Sequence, residues 1–368
     1  MKRVDFGALT DWTAADPRAA FVALTGSCRK LVARSDSDAF GGVAAFGTVG
    51  EWRAPCNAAL QLQPSSASEA RAFFQTWFVP ALAANRDDPV GLFTGYYEPE
   101  LKGSRKPSAT YHTPLYTRPV DLVSVDLGAF RPAMKGERIA GRVDEGKLVP
   151  YATRADIVGR GLKGRSRVIV YVDDAVEAFS LQVQGSGRVK LKSGEVVRVA
   201  YDGQNGHPYT AIGRILIERG EVKREEMSMQ RIRKWLTDNP SKADALMNEN
   251  ASYVFFKELP IANPALGADG AQGVPLTPEA SLAVDLKFHG LGAPMWVEAN
   301  APSSDASAAD VPFRRLLIAQ DTGGAIRGPV RGDVYWGAGS GPESIAGHMA
   351  HKGKLFVLLP TPVAARLN

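Results

Sequence analysis

Apolar positions along the chain follow two different rhythms. Phe73, Phe74, Trp77 and Phe78 recur at helical spacing behind Ser66 and Glu69, whose separation is that of a capping box. Pro80 and Pro89 bound that run. From Phe93 onward the apolar runs shorten and are cut by Gly, Pro and charged turns, the signature of a β-rich protein. Strands are predicted at 166–172, 179–184, 188–191 and 196–201, with turn residues at Asp173-Asp174 and Lys192-Ser193-Gly194-Glu195. Gly185-Ser186-Gly187 reads as a tight hairpin or as a close approach of backbone to ligand.

Helical spacing returns twice. Ile212, Ile215 and Leu216 precede Arg219-Gly220, a helix closed by glycine, and Met229, Ile232, Trp235 and Leu236 form the buried stripe of a second helix stopped by Asn239-Pro240. Four more strands are predicted at 295–298, 315–319, 333–336 and 354–359. Segments 261–275 and 299–310 read as surface loops, being poor in large apolar residues. The pattern describes a mainly β protein with a helical hairpin between two strand-rich parts.

At 368 residues the chain is long enough for two domains, and 45% apolar with 23% charged residues is ordinary globular composition. No apolar run approaches the roughly 20 residues needed to span a bilayer, so no transmembrane segment is expected. The opening Met1-Lys2-Arg3-Val4-Asp5-Phe6 lacks the apolar stretch of an export signal. The net charge of +5 is spread through mixed clusters, and no nucleic-acid motif accompanies it, so a nucleic-acid partner is not expected. Two cysteines and five scattered histidines do not assemble a metal site. Cys28 and Cys56 fit either one disulfide or two buried thiols.

There is no Gly-x-Ser-x-Gly elbow, phosphate-cradling loop or His-Glu-x-x-His, and Gln184-Gly185-Ser186-Gly187 lacks the elbow's spacing. The carboxylates say more. Asp321 opens the Gly-rich turn of 321–328 at the end of an apolar strand, Asp333 opens the next strand, and Asp285 follows Leu282-Ala283-Val284 in a similar position. Carboxylates grouped in a cleft are the tools of glycosidic-bond chemistry, where one must be protonated to act on the leaving oxygen. Turn capping, or pairing with Arg327 or Arg331, is the plainer alternative. Tyr96, Tyr97, Tyr111, Tyr116, Tyr209, Trp296, Tyr335 and Trp336 offer faces that stack on sugar rings or pack a core.

Five motifs in order carry a resemblance: Phe93-Thr94-Gly95-Tyr96-Tyr97-Glu98-Pro99, Leu181 to Arg188, Leu276-Thr277-Pro278 to Asp285, Asp321 to Gly337, and Gly353 to Pro360. Together they resemble the membrane-bound lytic transglycosylase A family, whose C-terminal module is named for three aspartates, matched by Asp285, Asp321 and Asp333. The resemblance implies a two-domain protein: a double-psi β-barrel from residues 1–107 and 247–368, with the three-aspartate module at about 276–361, and a smaller inserted β-domain at 108–246. It implies a groove for peptidoglycan glycan strands. The reaction expected is non-hydrolytic cleavage of the β-1,4 bond between N-acetylmuramic acid and N-acetylglucosamine, leaving a 1,6-anhydro end, without metal or cofactor. A hydrolase on the same barrel and a non-catalytic peptidoglycan-binding protein are the alternatives.

By the same matching Asp333 is the expected acid and then base, with Asp321 supporting charge or position and Asp285 structural. Thr94, Tyr97, Gln184, Ser186, Ser252 and Val254 are the expected groove residues, Val254 through its backbone. The family implies a periplasmic protein, with outer-membrane association and partnership with cell-wall synthesis or turnover proteins left open, and it favours a Cys28–Cys56 disulfide. His289-Gly290 stands where an Ile-Pro-like pair is expected.

Overall fold

The computed structural model describes all residues except 135–137, 262, 306, 307, 325 and 368. Ala325 of the 321–328 turn, and parts of the two predicted loops, therefore lie outside the described residues. The chain divides into two compact units, Met1–Tyr97 with Asn263–Asn368, and Glu98–Ala262.

The first unit is built on a closed six-stranded barrel: β1 Gly91–Glu98, β2 Ser281–Val284, β3 Pro294–Ala301, β4 Val311–Asp321, β5 Arg331–Ala338 and β6 Ala350–Pro360. Their order around the barrel is β6-β3-β4-β2-β5-β1, and β1 pairs back onto β6. The β2–β4 pair is parallel, whereas β3–β4, β2–β5 and β1–β6 are antiparallel. Strand Phe78–Leu82 extends this sheet from β6. The strands run longer than predicted because their polar ends continue the ladder beyond the apolar centres.

The unit's core joins Leu282, Val284, Met295, Trp296 and Leu317 of the barrel to Phe21, Leu24, Trp52 and Phe74 of three helices, Arg18–Leu31, Val49–Gln61 and Ala67–Trp77. The first two helices are joined by a Cys28–Cys56 disulfide. Ser66 accepts the Glu69 N–H as predicted, but the Glu69 carboxylate reaches the N–H of Ser65 rather than Ser66. The predicted Phe stripe ends at Trp77, because Phe78 already begins the next strand.

The second unit holds a six-stranded sheet in the order Val254–Leu259, Val196–Gln204, Ser186–Leu191, Glu100–Ser104, Val168–Val172, Thr113–Tyr116. A three-stranded sheet of Val123–Asp126, Arg138–Asp144 and Lys147–Pro150 accompanies it. Glu98, 1% exposed, accepts Arg188 Nε at 2.9 Å and Arg198 Nε at 2.8 Å.

Two expectations fail here. Residues 179–184 are not a strand but the end of helix Ala175–Gln184. Phe179, Leu181 and Val183 imitate a period of two, yet Val183 is exposed while Ala178, Leu181 and Gln182 share the buried helical face. Asp174 caps the helix by accepting the N–H groups of Val176 and Glu177, and Gly185 ends it at φ 83°. Gly185-Ser186-Gly187 is thus a helix stop followed by a strand. Pro240 also starts a helix, Pro240–Asn248, rather than only ending one, since proline's missing N–H is harmless in a first turn.

Candidate active site

Two registers place the aspartates. Ala283 of β2 pairs with Asp321 of β4 on one side and with Asp333 of β5 on the other. Paired residues point to the same face of a sheet, so both carboxylates flank a small side chain, with Cα atoms roughly 10 Å apart at two strand spacings. The neighbours Leu282 and Val284 point the other way, into the core.

A bulge makes this alignment. Along β2 and β4 the register passes from Leu282–Ala319 to Ala283–Asp321, skipping Gln320. Without the extra residue Asp321 would oppose Val284 and face the core. Gln320 is fully buried; its Nε2 donates to the Ala23 carbonyl at 2.8 Å and meets Ser27 Oγ at 2.9 Å, and its Oε1 accepts from Ser281. The helix Arg18–Leu31 thereby holds the bulge that aims Asp321.

Thr94 and Tyr96, two apart on β1, complete the face. The Thr94 hydroxyl donates to Asp333 Oδ1 at 2.7 Å and accepts from Arg331 Nη2 at 2.8 Å. Arg331 therefore reaches Asp333 through a hydroxyl. The Tyr96 hydroxyl donates to Asp321 Oδ2 at 2.9 Å, while Asp321 Oδ1 accepts the N–H groups of Ala271 and Thr322, each at 2.9 Å. The Tyr96 and Tyr335 rings lie 5.3 Å apart. Gly95 between them is required by space: a Cβ there would lie 2.6 Å from Trp336 Nε1 and 2.8 Å from Ala346 Cα.

The two carboxyls differ in what supports their charge. Burial pushes Asp333 above the ordinary carboxylate range; Thr94 and Arg331 pull against the rise, and Asp321 adds to it. Burial also raises Asp321, opposed by Ala271, Thr322 and Tyr96. Three hydrogen bonds thus favour the anion at Asp321, where Asp333 has one. Burial, then Asp321, keeps the Tyr96 phenol protonated as a donor. Two carboxyls so unequally supported on one face suit the paired tasks of protonating a leaving oxygen and supporting positive charge beside it.

Asp285 serves another purpose. Its carboxylate accepts the N–H groups of Lys287 at 3.1 Å and Gly328 at 2.8 Å, pinning the turn between Asp321 and Asp333. Burial alone raises its pKa, but those N–H groups and the charges of Arg327 and Lys287 bring it below the usual value. His289, 2% exposed, bonds the Pro329 carbonyl at 2.8 Å, and burial pushes it down to about 4.

Of the other predicted residues, Tyr97 packs in the barrel core at 8% exposure, on the opposite face of β1 from Thr94 and Tyr96. Gln184 ends a helix and Ser186 opens a strand in the second unit. Ser252, 6% exposed, donates its hydroxyl to Gln204 Oε1 at 3.0 Å, and Val254 pairs with Gln204 in the sheet. Tyr96 was absent from the predicted set, although strand alternation from Thr94 signals it; Ala271, in a loop, left no signal. Among the described residues no group of three or more His, Cys, Asp or Glu side chains is placed to hold a metal ion.

Residues 92–257 match the MltA specific insert domain, and residues 280–359 match the 3D domain. The chain is 32% identical over 269 residues to the membrane-bound lytic murein transglycosylase A of Vibrio cholerae, covering 73% of this chain and 65% of that relative. It is 33% identical to a membrane-bound lytic murein transglycosylase from Agrobacterium tumefaciens of known crystal structure, with a TM-score of 0.84 over 100% of this chain and 99% of that one. A structure of Escherichia coli MltA with bound chitohexaose is 27% identical, with a TM-score of 0.70 over 94% of this chain and 90% of that one.

Proposed function

Because the chain belongs to the membrane-bound lytic murein transglycosylase A family and carries its 3D domain, we propose that it cleaves peptidoglycan glycan strands between N-acetylmuramic acid and N-acetylglucosamine, leaving a 1,6-anhydro-muramic end. The observation that carries the reading is the unequal pair of carboxyls on one barrel face: burial raises both, but Asp333 has one donor and Asp321 three. The glycan bound to the Escherichia coli relative is a β-1,4 chain of the same sugar class.

Asp333 enters protonated and gives its proton to the glycosidic oxygen as the C–O bond breaks. The Asp321 anion stabilises the oxocarbenium-like charge. The muramic 6-hydroxyl then attacks the anomeric carbon, and Asp333, now ionised, takes its proton, so the acid is regenerated and no water is consumed. An internal nucleophile supplies the high effective molarity that a water would need activation to match. Thr94 orients Asp333 for both transfers, its hydroxyl held in turn by Arg331. Gln184, Ser186, Ser252 and Val254 are proposed to contact the glycan. The proposed compartment is the periplasm; no described helix is long and apolar enough to cross a membrane.

Digestion of purified peptidoglycan by wild type and Asp333→Asn, with released muropeptides weighed by mass spectrometry, tests the reading. Anhydro products from wild type alone are expected. Products heavier by one water would make the protein a hydrolase, and release of neither kind would leave a glycan-binding protein.

A further inference from the structure

A cavity lies wholly within the unit Glu98–Ala262. It encloses about 270 Å³ between the apolar side chains of Ile157, Ala178, Phe179 and Met247, with the exposed Val158 at its rim. Two polar residues in its lining are more than nine-tenths buried: Arg154 at 4% exposure and Gln182 at 6%.

Arg154 is fixed by neutral partners. Its Nε donates to the Asn250 carbonyl at 3.1 Å and its Nη2 to the Ser252 carbonyl at 2.7 Å, while its guanidinium carbon lies 4.7 Å from the Phe179 ring centre and 5.2 Å from that of Tyr253. Carbonyls and aromatic faces orient a cation without neutralising it, and a buried cation calls for a counter-charge. Burial pushes Arg154 down to about 10, still ionised at neutral pH. Gln182 shares the lining with Tyr253, and its Oε1 is buried with no hydrogen-bond partner. Such an acceptor is rare in a folded protein and stands ready for a ligand donor. Asp244, the acidic residue of the lining, is solvent-exposed, so its opposition to an incoming anion is screened.

The lining therefore presents a cation, an unfilled acceptor and an apolar wall in a space fitted to a small molecule. We propose that this cavity binds the carboxyl end of an N-acylated short apolar amino acid, with the carboxylate on Arg154, the amide N–H on Gln182 Oε1 and a methyl-sized side chain against Ala178 and Met247. The chemistry is that of a peptide ending in alanine. Choosing alanine rests on the function proposed above, since peptidoglycan carries alanine-containing stem peptides; recognition of the carboxylate and amide does not.

Isothermal titration calorimetry of the full chain with acetyl-D-alanyl-D-alanine, its L,L isomer and the C-terminal amide of each tests this. The acid of at least one isomer is expected to bind, with its amide about ten-fold weaker or worse for loss of the charge-assisted bond. Preference for the D,D isomer would identify stem peptides as the source, and equal binding a general peptide terminus. Val158→Trp, at the exposed rim, is expected to weaken the acid about ten-fold at unchanged thermal stability, and Gln182→Met is expected to weaken it to a similar degree while the protein remains folded. Absence of heat at millimolar peptide, equal binding of acid and amide, or full binding by Val158→Trp would overturn the proposal. Binding is read without bond cleavage, so a chain that binds the peptide but digests no peptidoglycan overturns the proposed function alone.

Discussion

Replacing Asp333 by Asn is expected to abolish bond cleavage and yet stabilise the fold near neutral pH. The carboxyl is partly buried, holds a single hydroxyl donor from Thr94, and has its pKa raised first by burial. An acid whose pKa is higher folded than unfolded binds more protons in the folded state. Stability therefore falls as pH rises from the ordinary carboxylate range through the raised value, and the loss is complete above it. Asn keeps the volume and the acceptor for Thr94 but carries no charge to desolvate. Arg331 retains its bonds to Thr94 and to the Leu92 and Gly332 carbonyls, so the substitution orphans no cation. Each unit of pKa elevation corresponds to about 1.4 kcal/mol, so the stability gained on removing the charge scales with that elevation. In a chain of 368 residues each kcal/mol gained raises Tm by about 1–2 °C. Urea unfolding of both proteins from acid to neutral pH reads the difference directly, and the two curves should converge as pH drops through the carboxylate range. An Asn variant less stable at neutral pH, or a difference indifferent to pH, would refute the reasoning: the carboxylate would then be stabilised as an anion and unfit as the acid.

Tyr96→Phe removes one of three donors to Asp321 and is expected to lower kcat/KM about 10- to 100-fold. Its activity should also shift on the acid side towards higher pH, because Asp321 becomes harder to ionise; a pH–rate profile checks both. Gly95→Ala drives a Cβ against Trp336 and Ala346, with an expected loss of about 1–3 kcal/mol in urea unfolding. Glu98→Gln removes the buried charge between Arg188 and Arg198 and should destabilise by about 3–5 kcal/mol in the same assay. Substituting both Cys28 and Cys56 by Ala opens a loop closed over 28 positions; the expected loss is about 3–4 kcal/mol, read as a lower urea midpoint.

Four of the six barrel strands, β3 to β6, were legible because apolar runs bounded by Gly and Pro need no partner to be recognised, and Asp321 and Asp333 stood out at strand ends. Local signals failed where two rhythms overlapped. Phe179, Leu181 and Val183 alternate like a strand, and only the cap at Asp174 and the stop at Gly185 favour the helix. The helix Arg18–Leu31 went unread because no side-chain cap marks its start, and Val49–Gln61 because its small residues make a weak stripe; packing on the barrel is what secures them.

Residue chemistry along the chain thus determined the mainly β class, the candidate carboxylates and the family likeness. Tertiary structure alone decided which neighbours make those carboxylates unequal. Strand order brings Ala283 between Asp321 and Asp333, and a bulge at Gln320, anchored to Ala23, Ser27 and Ser281, turns Asp321 to their shared face. Tyr96 and Ala271 reach Asp321 from 225 and 50 positions away. A pKa is set by burial and by the donors within a few ångströms, and those distances are created by long-range pairing, which no local pattern of residues encodes.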